Sequence, residues 1–250
     1  MKNCALKGIA VTGLGFTFFL LFAFTNPAVA QTNKRVSVEA DLGICEPVGK
    51  FGTKGFNSFS QSLGYGSAML GFSLGLKIVY PANERTDITF SVGWQRNSQS
   101  DAVIKDTIVS RFPGYNQYRV NVGSWSLWNL MIGGNLKIPL LPGRISLLPG
   151  IDLGMAKTSA PGYSYFVSYL PYSISGPQPA EGYFGGLSLP WSLCYRVRAE
   201  LTWQTSSRLY FKGIVSFFHS DPAWKYGDPP QKTAFPISTL NLMIGAGYNF

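Results

Sequence analysis

The sequence predicts an all-β protein, an antiparallel up-and-down transmembrane β-barrel that follows a cleaved signal peptide. Three observations support this fold class. Apolar and polar residues alternate along most of the chain, and the alternation continues to an aromatic last residue, Phe250. Aromatic residues make up 15% of the chain and charged residues only 13%, whereas roughly 25% of residues are charged in an ordinary soluble domain. A surface that faces lipid is therefore indicated.

The first thirty residues have the parts of a secretory signal. Two lysines give a basic start, an uncharged apolar run covers residues 8–24, and Ala28-Val29-Ala30 fits the rule of small residues before a cleavage site. We therefore predict a signal peptide at 1–30 and one barrel domain at 31–250. An uncleaved membrane anchor is the alternative, but the apolar run is short for a membrane-spanning helix.

Alternation with a period of two predicts strands whose two faces lie in different environments. Eight such segments are present, an even number, as in single-chain bacterial barrels. The seventh is less regular because Ile214 and Phe218 fall on its polar side. The predicted strands are 36–44, 70–80, 88–95, 118–138, 145–154, 189–203, 209–219 and 240–250.

The connections between these segments are short and long in strict alternation. Outer-membrane barrels have short periplasmic turns and long external loops, so both termini are predicted to be periplasmic. A soluble β-sandwich is the alternative, but it does not require this alternation. The short turns lie near 81–86, 140–143 and 205–207, and the long loops at 46–65, 98–117, 158–186 and 221–235.

The faces predicted to point into the barrel carry ten charged residues. An eight-stranded barrel is barely wide enough for its own side chains, and a buried charge without a partner is costly. We therefore interpret the set as a structural network of salt bridges, with an ion pathway as the alternative. Its members are Glu39, Asp41, Lys77, Arg119, Lys137, Asp152, Arg196, Arg198, Glu200 and Lys212.

Two cysteines also fall on the inward face. Cys45 and Cys194 belong to the first and sixth strands, which lie nearly opposite each other in an eight-stranded barrel. A disulfide needs Cα atoms within about 7 Å. Two buried free thiols are therefore expected.

Residues with catalytic chemistry are few. The single histidine, His219, precedes Ser220 and Asp221, and neighbours on one strand point to opposite faces, which argues against a triad of these three. A lone histidine does not make a metal site of the usual Cys/His kind. We expect no enzyme, no catalytic residue, no metal and no cofactor. Some eight-stranded barrels are lipid A deacylases with a His-x-Ser arrangement, but the spacer residue is missing in this sequence.

The third long loop is rich in aromatic residues, and residues 158–180 include no charged residue. Such a loop can cap the barrel, or it can present a surface to a partner. Both interpretations stay open. The alternation around Val167 also leaves open an extra hairpin and a total of ten strands. The candidate partner residues are Tyr163, Tyr165, Phe166, Tyr169 and Tyr172.

The final strand, with Tyr248 and Phe250, resembles the carboxy-terminal sorting signal of bacterial outer-membrane barrels. The resemblance implies that the barrel assembly machinery recognises it. The whole pattern from residue 31 onward resembles the small OmpA/OmpX/OmpW-like outer-membrane barrels. That resemblance implies integral location in a bacterial outer membrane. It implies no single activity, because members serve as adhesins, envelope-stress proteins, secretion accessories, solute carriers and enzymes.

These observations favour a non-enzymatic barrel whose long external loops bind a protein, a glycan or lipopolysaccharide, in an interaction or secretion-accessory role. A narrow channel or small-solute transporter is the first alternative, and a lipid A-modifying enzyme is the second. The net charge of +9 favours contact with anionic lipopolysaccharide and other membrane lipid. A nucleic-acid partner is not expected for an exported protein.

Overall fold

The computed structural model describes residues 35–52, 67–141, 144–169, 178–226 and 231–250. The expected signal peptide and its cleavage site lie outside these residues. One helix, α1 (Asp101–Arg111), and one 3-10 turn (Gly49–Phe51) are present among them. In chain order the strands are β1 (Ser37–Pro47), β2 (Ala68–Pro81), β3 (Thr86–Gln99), β4 (Gln117–Val122), β5 (Ser124–Leu136), β6 (Ile138–Leu141), β7 (Ile145–Ala160), β8 (Tyr163–Ser168), β9 (Ala180–Phe184), β10 (Leu187–Ser188), β11 (Ser192–Gln204), β12 (Leu209–Ser220), β13 (Ala223–Tyr226), β14 (Gln231–Ala234) and β15 (Ile237–Asn249).

Eight of the strands form a closed antiparallel barrel. Each of β1, β2, β3, β5, β7, β11, β12 and β15 pairs with the next in this series. β15 then pairs with β1, from Asn249 opposite Ser37 to Thr239 opposite Pro47. Closure gives every wall strand two partners, which removes the free edges of an open sheet. The predicted barrel and its eight wall strands are confirmed.

The two faces of the wall differ in polarity in the way the sequence predicts. Exposed side chains on the outside are apolar, whereas most buried ones on the inside are polar or charged. This is the reverse of a soluble protein, and an apolar outer belt is stable in lipid. No helix among the described residues is long and apolar enough to cross a membrane. The belt includes Leu42, Leu76, Phe90, Ile132, Val197, Leu201, Val215, Leu242 and Ile244.

The two ends of the barrel differ in the length of their connections. At one end, which we call the turn end, short segments join β2 to β3, β6 to β7 and β11 to β12. At the other, the loop end, long segments join β1 to β2, β3 to β5, β7 to β11 and β12 to β15. The strict alternation of short and long connections is confirmed.

Part of the loop end folds as a small layer with its own core, which we call the loop-end module. It consists of α1 and a three-stranded sheet in the order β4-β8-β9. Ile104 and Ile108 of the helix are buried with Val167 of the sheet. The hairpin considered in the sequence does form, but β8 pairs with β4 and β9. It adds nothing to the barrel wall, which keeps eight strands.

The predicted fourth strand, 118–138, is wrong as a single element, because the chain leaves the wall at Gly123. The Gly123 amide donates to the Gly162 carbonyl oxygen at 2.8 Å. A Cβ added at Gly123 would lie 3.1 Å from that oxygen, so the close approach favours glycine. Alternation continues on both sides of the break because β4 and β5 each have two distinct faces. Periodicity therefore could not reveal it.

Two further differences concern the loop predicted at 98–117 and the start of the predicted sixth strand. The loop predicted at 98–117 contains α1, whose buried residues contact the sheet of the module. The predicted sixth strand begins at Ser192 and not at Leu189. Pro190 has no amide hydrogen for a strand ladder, and Leu189 is buried with Phe235 instead of facing lipid.

Candidate functional site

Charged side chains fill the half of the barrel interior nearer the turn end. Lys77 Nζ lies 2.7 Å from Glu39 Oε2 and 2.5 Å from Glu200 Oε1. Lys212 forms ion pairs with the same two carboxylates and lies 2.6 Å from Asp41 Oδ1. Tyr210 donates a hydrogen bond to Glu39. Each amine in this layer therefore contacts more than one carboxylate.

Asp152 organises the second half of the network. Arg196 Nε and Arg198 Nη1 lie 2.8 and 2.5 Å from the same carboxylate oxygen of Asp152. Thr89 donates to the other oxygen at 3.1 Å. Arg198 Nε also lies 2.7 Å from Glu200 Oε1, which joins this cluster to the first. Four carboxylates and four cations are thus held together, so their formal charges balance.

One residue of the predicted inward set lies at the edge of the interior, and one lies outside the barrel. Lys137 is at the turn end, where its half-exposed amine lies 2.8 Å from buried Asp87. Arg119 is exposed on β4, outside the barrel, so its assignment to the lumen is wrong. The cause is the break at Gly123, which moves β4 into the loop-end module. The prediction missed Asp87, although extending the alternation of β3 by one residue from Ile88 would have placed it inward.

The half of the interior nearer the loop end is uncharged, and an apolar cluster, the apolar plug, lies there among buried amides and hydroxyls. Phe51 and Trp125 pack edge to face there, with ring centroids 5.3 Å apart. Cys45 and Cys194 are buried and free. Cys194 belongs to this apolar plug, and the remaining members are Ala68, Leu127, Met131, Ala156, Phe218 and Ile237. Side chains therefore occupy both halves of the interior, and a space of about 190 Å³ remains at the turn-end mouth.

The loop-end module presents one exposed face, the loop-end surface. Its residues form two rows in register across β4, β8 and β9. Tyr183 is 80% exposed and Phe166 is 43% exposed, and the face borders a concave space of about 490 Å³. The first row is Arg119, Phe166 and Glu181, and the second is Asn121, Ser164 and Tyr183.

The aromatic residues predicted as a partner loop are divided between the two faces of β8. Tyr163 stacks on Phe184 at 5.4 Å and Tyr165 packs against Phe112 at 5.6 Å, so both belong to the core of the module. Burial raises the pKa of the Tyr163 hydroxyl. Phe166 lies on the exposed face, Tyr169 is exposed after the end of β8, and Tyr172 lies outside the described residues.

Known proteins resemble this chain only in shape. No protein-family model and no curated protein matches the sequence. Similar solved structures include Neisserial surface protein A, with a TM-score of 0.48, 12% identity and coverage of 86% of this chain and 97% of that one. The attachment invasion locus protein of Yersinia pestis has a TM-score of 0.43 and 13% identity, with coverage of 88% of this chain and 100% of that one. A major outer membrane protein of Thermus thermophilus has a TM-score of 0.45 and 12% identity, with coverage of 88% of this chain and 100% of that one.

The barrel's own geometry decides the class of fold. A closed, even-numbered antiparallel wall has an apolar belt outside and charged residues inside, which is the arrangement of outer-membrane-type barrels. The chain is a transmembrane β-barrel of that type. The question about function then concerns the interior and the two surfaces of this barrel.

His219 lies on the outer face of the barrel near the loop end. Its Nδ1 is 2.8 Å from Ser238 Oγ, and its Nε2 is 3.1 Å from Asp221 Oδ2. Ser220 points inward and shares a hydrogen bond with Ser192 at 2.7 Å. In a catalytic triad the serine bonds Nε2 and the acid bonds Nδ1. Here the partners are the other way round, with the serine on Nδ1 and the acid on Nε2. The contacts hold the ring beside Tyr195.

We expect the barrel to conduct no ions in a planar lipid bilayer. The cavity bounded by Asp41, Arg196 and Asn241 has a volume of about 30 Å³, roughly the room for one water molecule. An ion would have to displace the apolar plug and separate paired charges. The measurement is single-channel recording of the purified protein. Reproducible conductance steps that change with Arg196→Gln would contradict a closed interior.

Proposed function

We propose that the protein is a non-enzymatic barrel of the bacterial outer membrane that binds a protein or glycan partner through the loop-end surface. In this proposal the loop end is external and both termini are periplasmic, as the lengths of the connections favour. The observation that carries it is the contrast between an interior occupied by side chains and an exposed module with its own core. The barrel then serves as the anchor, and the module provides the recognition.

The loop-end surface has the composition of a binding site. Exposed aromatic residues and arginine are enriched where proteins make their strongest contacts. Arg119 and Glu181 lie on either side of Phe166 in one row, so the face offers both signs of charge around an aromatic centre. The core beneath it, built around Ile104 and Val167, holds these side chains in place before a partner arrives.

Site-specific photo-crosslinking in cells tests this proposal. A photoreactive amino acid at position 166 or 183 is expected to give a discrete adduct with one protein or glycan species. The same amino acid at Glu84, which is exposed in the turn between β2 and β3, is the matched control. Arg119→Ala is expected to weaken the adducts. Equal adducts at both ends of the barrel, or none at the loop-end positions, would contradict the proposal.

A lipid A-modifying activity is the second candidate, and the contacts of His219 with Ser238 and Asp221 are the observation that favours it. Under our proposal these contacts orient a side chain at the membrane boundary. Lipid A from cells with and without the protein is therefore expected to have the same mass spectrum. A change in lipid A that His219→Ala abolishes would replace the binding proposal with an enzymatic one.

A further inference from the structure

A second polar surface lies on the outer wall of the barrel, apart from the loop-end surface. It occupies the outward faces of β3, β5 and β7 where the apolar belt ends on the side of the loop end. We call it the rim patch. Its residues are Arg96, Ser126 and Ser159 in one register row and Trp94, Trp128 and Lys157 in the next row toward the belt.

The rim patch contains two cations without partners. Among the described residues, neither Arg96 nor Lys157 takes part in a salt bridge or in a side-chain hydrogen bond. Arg96 is exposed and Lys157 is half-buried. They are two strands apart and two residues out of step, so strand spacings place their Cα atoms ~12 Å apart. Both side chains are long enough to reach one phosphate group between them.

An aromatic platform lies beside the two cations, in the register row of Lys157. The rings of Trp94 and Trp128 have centroids 6.0 Å apart, and Phe72 packs edge to face on Trp94 at 5.1 Å. The Trp94 indole Nε1 donates to Ser126 Oγ at 2.9 Å. The apolar Leu130 lies two residues farther into the belt and is exposed. Cations, aromatic rings and apolar side chains thus follow one another toward the belt. A ligand that matches this order has an anionic head and apolar chains.

Charge is distributed unevenly around the barrel at this level. On the far side, Glu46 points outward from β1 and lies beside Leu240 of β15, and Asp221 follows the end of β12. The belt boundary therefore has two cations on the β3-β5-β7 side, whereas the β1-β12 side has two carboxylates together with Lys50, which is exposed just beyond β1. An anionic lipid is attracted to the first side.

We propose that the rim patch binds the phosphate groups of a phosphorylated glycolipid in the leaflet at the loop end. The proposal rests on the proposed orientation, in which that leaflet contains lipopolysaccharide. The Arg96 guanidinium provides a planar fork for phosphate oxygens, and Lys157 provides a point charge. The hydroxyls of Ser126 and Ser159 face the sugars, and the acyl chains lie along the belt beside Trp128.

Native mass spectrometry of the purified, full-length barrel in detergent tests the proposal with bisphosphorylated lipid A as the probe. The double variant Arg96→Ala, Lys157→Ala is expected to bind it about 10- to 30-fold more weakly. Dephosphorylated lipid A is expected to bind the wild-type barrel as weakly as the intact lipid binds the double variant. Arg119→Ala removes an exposed cation from the loop-end surface and is expected to leave lipid binding unchanged.

Three results would overturn the proposal. They are equal lipid A retention by the wild type and the double variant, an equal loss caused by Arg119→Ala, and retention of phosphatidylglycerol as strong as that of lipid A. Heat-dependent gel mobility checks that each variant forms a closed barrel, and Arg96→Gln with Lys157→Gln serves if the alanine pair does not fold. Photo-crosslinking at Tyr183 in the double variant separates this proposal from the proposed function, because loss of lipid binding leaves that adduct in place.

Discussion

Replacing Asp152 by alanine is expected to lower the free energy of unfolding by about 3–5 kcal/mol, because removing one partner leaves buried charge without compensation. The Asp152 carboxylate contacts the guanidinium groups of Arg196 and Arg198 and accepts a hydrogen bond from Thr89. Both arginines would keep their charge and lose this partner. Equilibrium unfolding in urea, with the barrel in lipid vesicles, measures the change.

The matched control is Arg85→Ala, an exposed position in the turn between β2 and β3, where the change is expected to stay within about 0.5 kcal/mol. A second variant tests the cause. Adding Arg198→Met to Asp152→Ala removes one of the orphaned cations and is expected to recover part of the lost stability. A loss below about 1 kcal/mol for Asp152→Ala would contradict a network whose charges depend on one another.

Tyr183→Ala is expected to weaken binding of the partner captured by crosslinking by about 30-fold or more, since central aromatic residues of interfaces contribute about 2 kcal/mol or more. Tyr183 is 80% exposed, so the stability of the barrel is expected to stay nearly constant. Surface plasmon resonance with the purified barrel measures the affinity.

Lys105→Ala is the matched control for that change, because Lys105 is exposed on α1, on the other side of the loop-end module. Its affinity for the partner is expected to equal that of the wild type. An unchanged affinity in Tyr183→Ala, or the same loss in both variants, would show that the partner does not bind the loop-end surface.

The barrel wall could be predicted from the sequence because the alternation within each strand is enough to assign its inner and outer faces. In β15, Leu240, Leu242 and Ile244 are exposed on the outside while Asn241 and Met243 are buried inside, as their alternation indicates. The same rule places Glu39, Lys77, Asp152 and Glu200 in the interior. The role of Tyr248 and Phe250 in assembly stays a prediction.

The loop-end module could not be predicted in the same way because its pairings are not local. β4 alternates like a wall strand, and only its pairing with β8, more than forty positions later, shows that Arg119 is outside the barrel. The charge-free aromatic stretch ends before Glu181 and Tyr183, so it does not point to them. The backbones approach closely at Gly123 and Gly162, which favours glycine at both positions. These two glycines could have marked the break in the predicted fourth strand.

Cysteine labelling in intact cells tests most directly the central claim, that the membrane-embedded barrel displays its loop end outside the cell. The native Cys45 and Cys194 are buried and give a low background. A membrane-impermeant maleimide is expected to label Tyr183→Cys in intact cells, and to label Glu84→Cys only after the outer membrane is permeabilised. Labelling of Glu84→Cys but not Tyr183→Cys in intact cells would contradict the orientation and, with it, the proposed function.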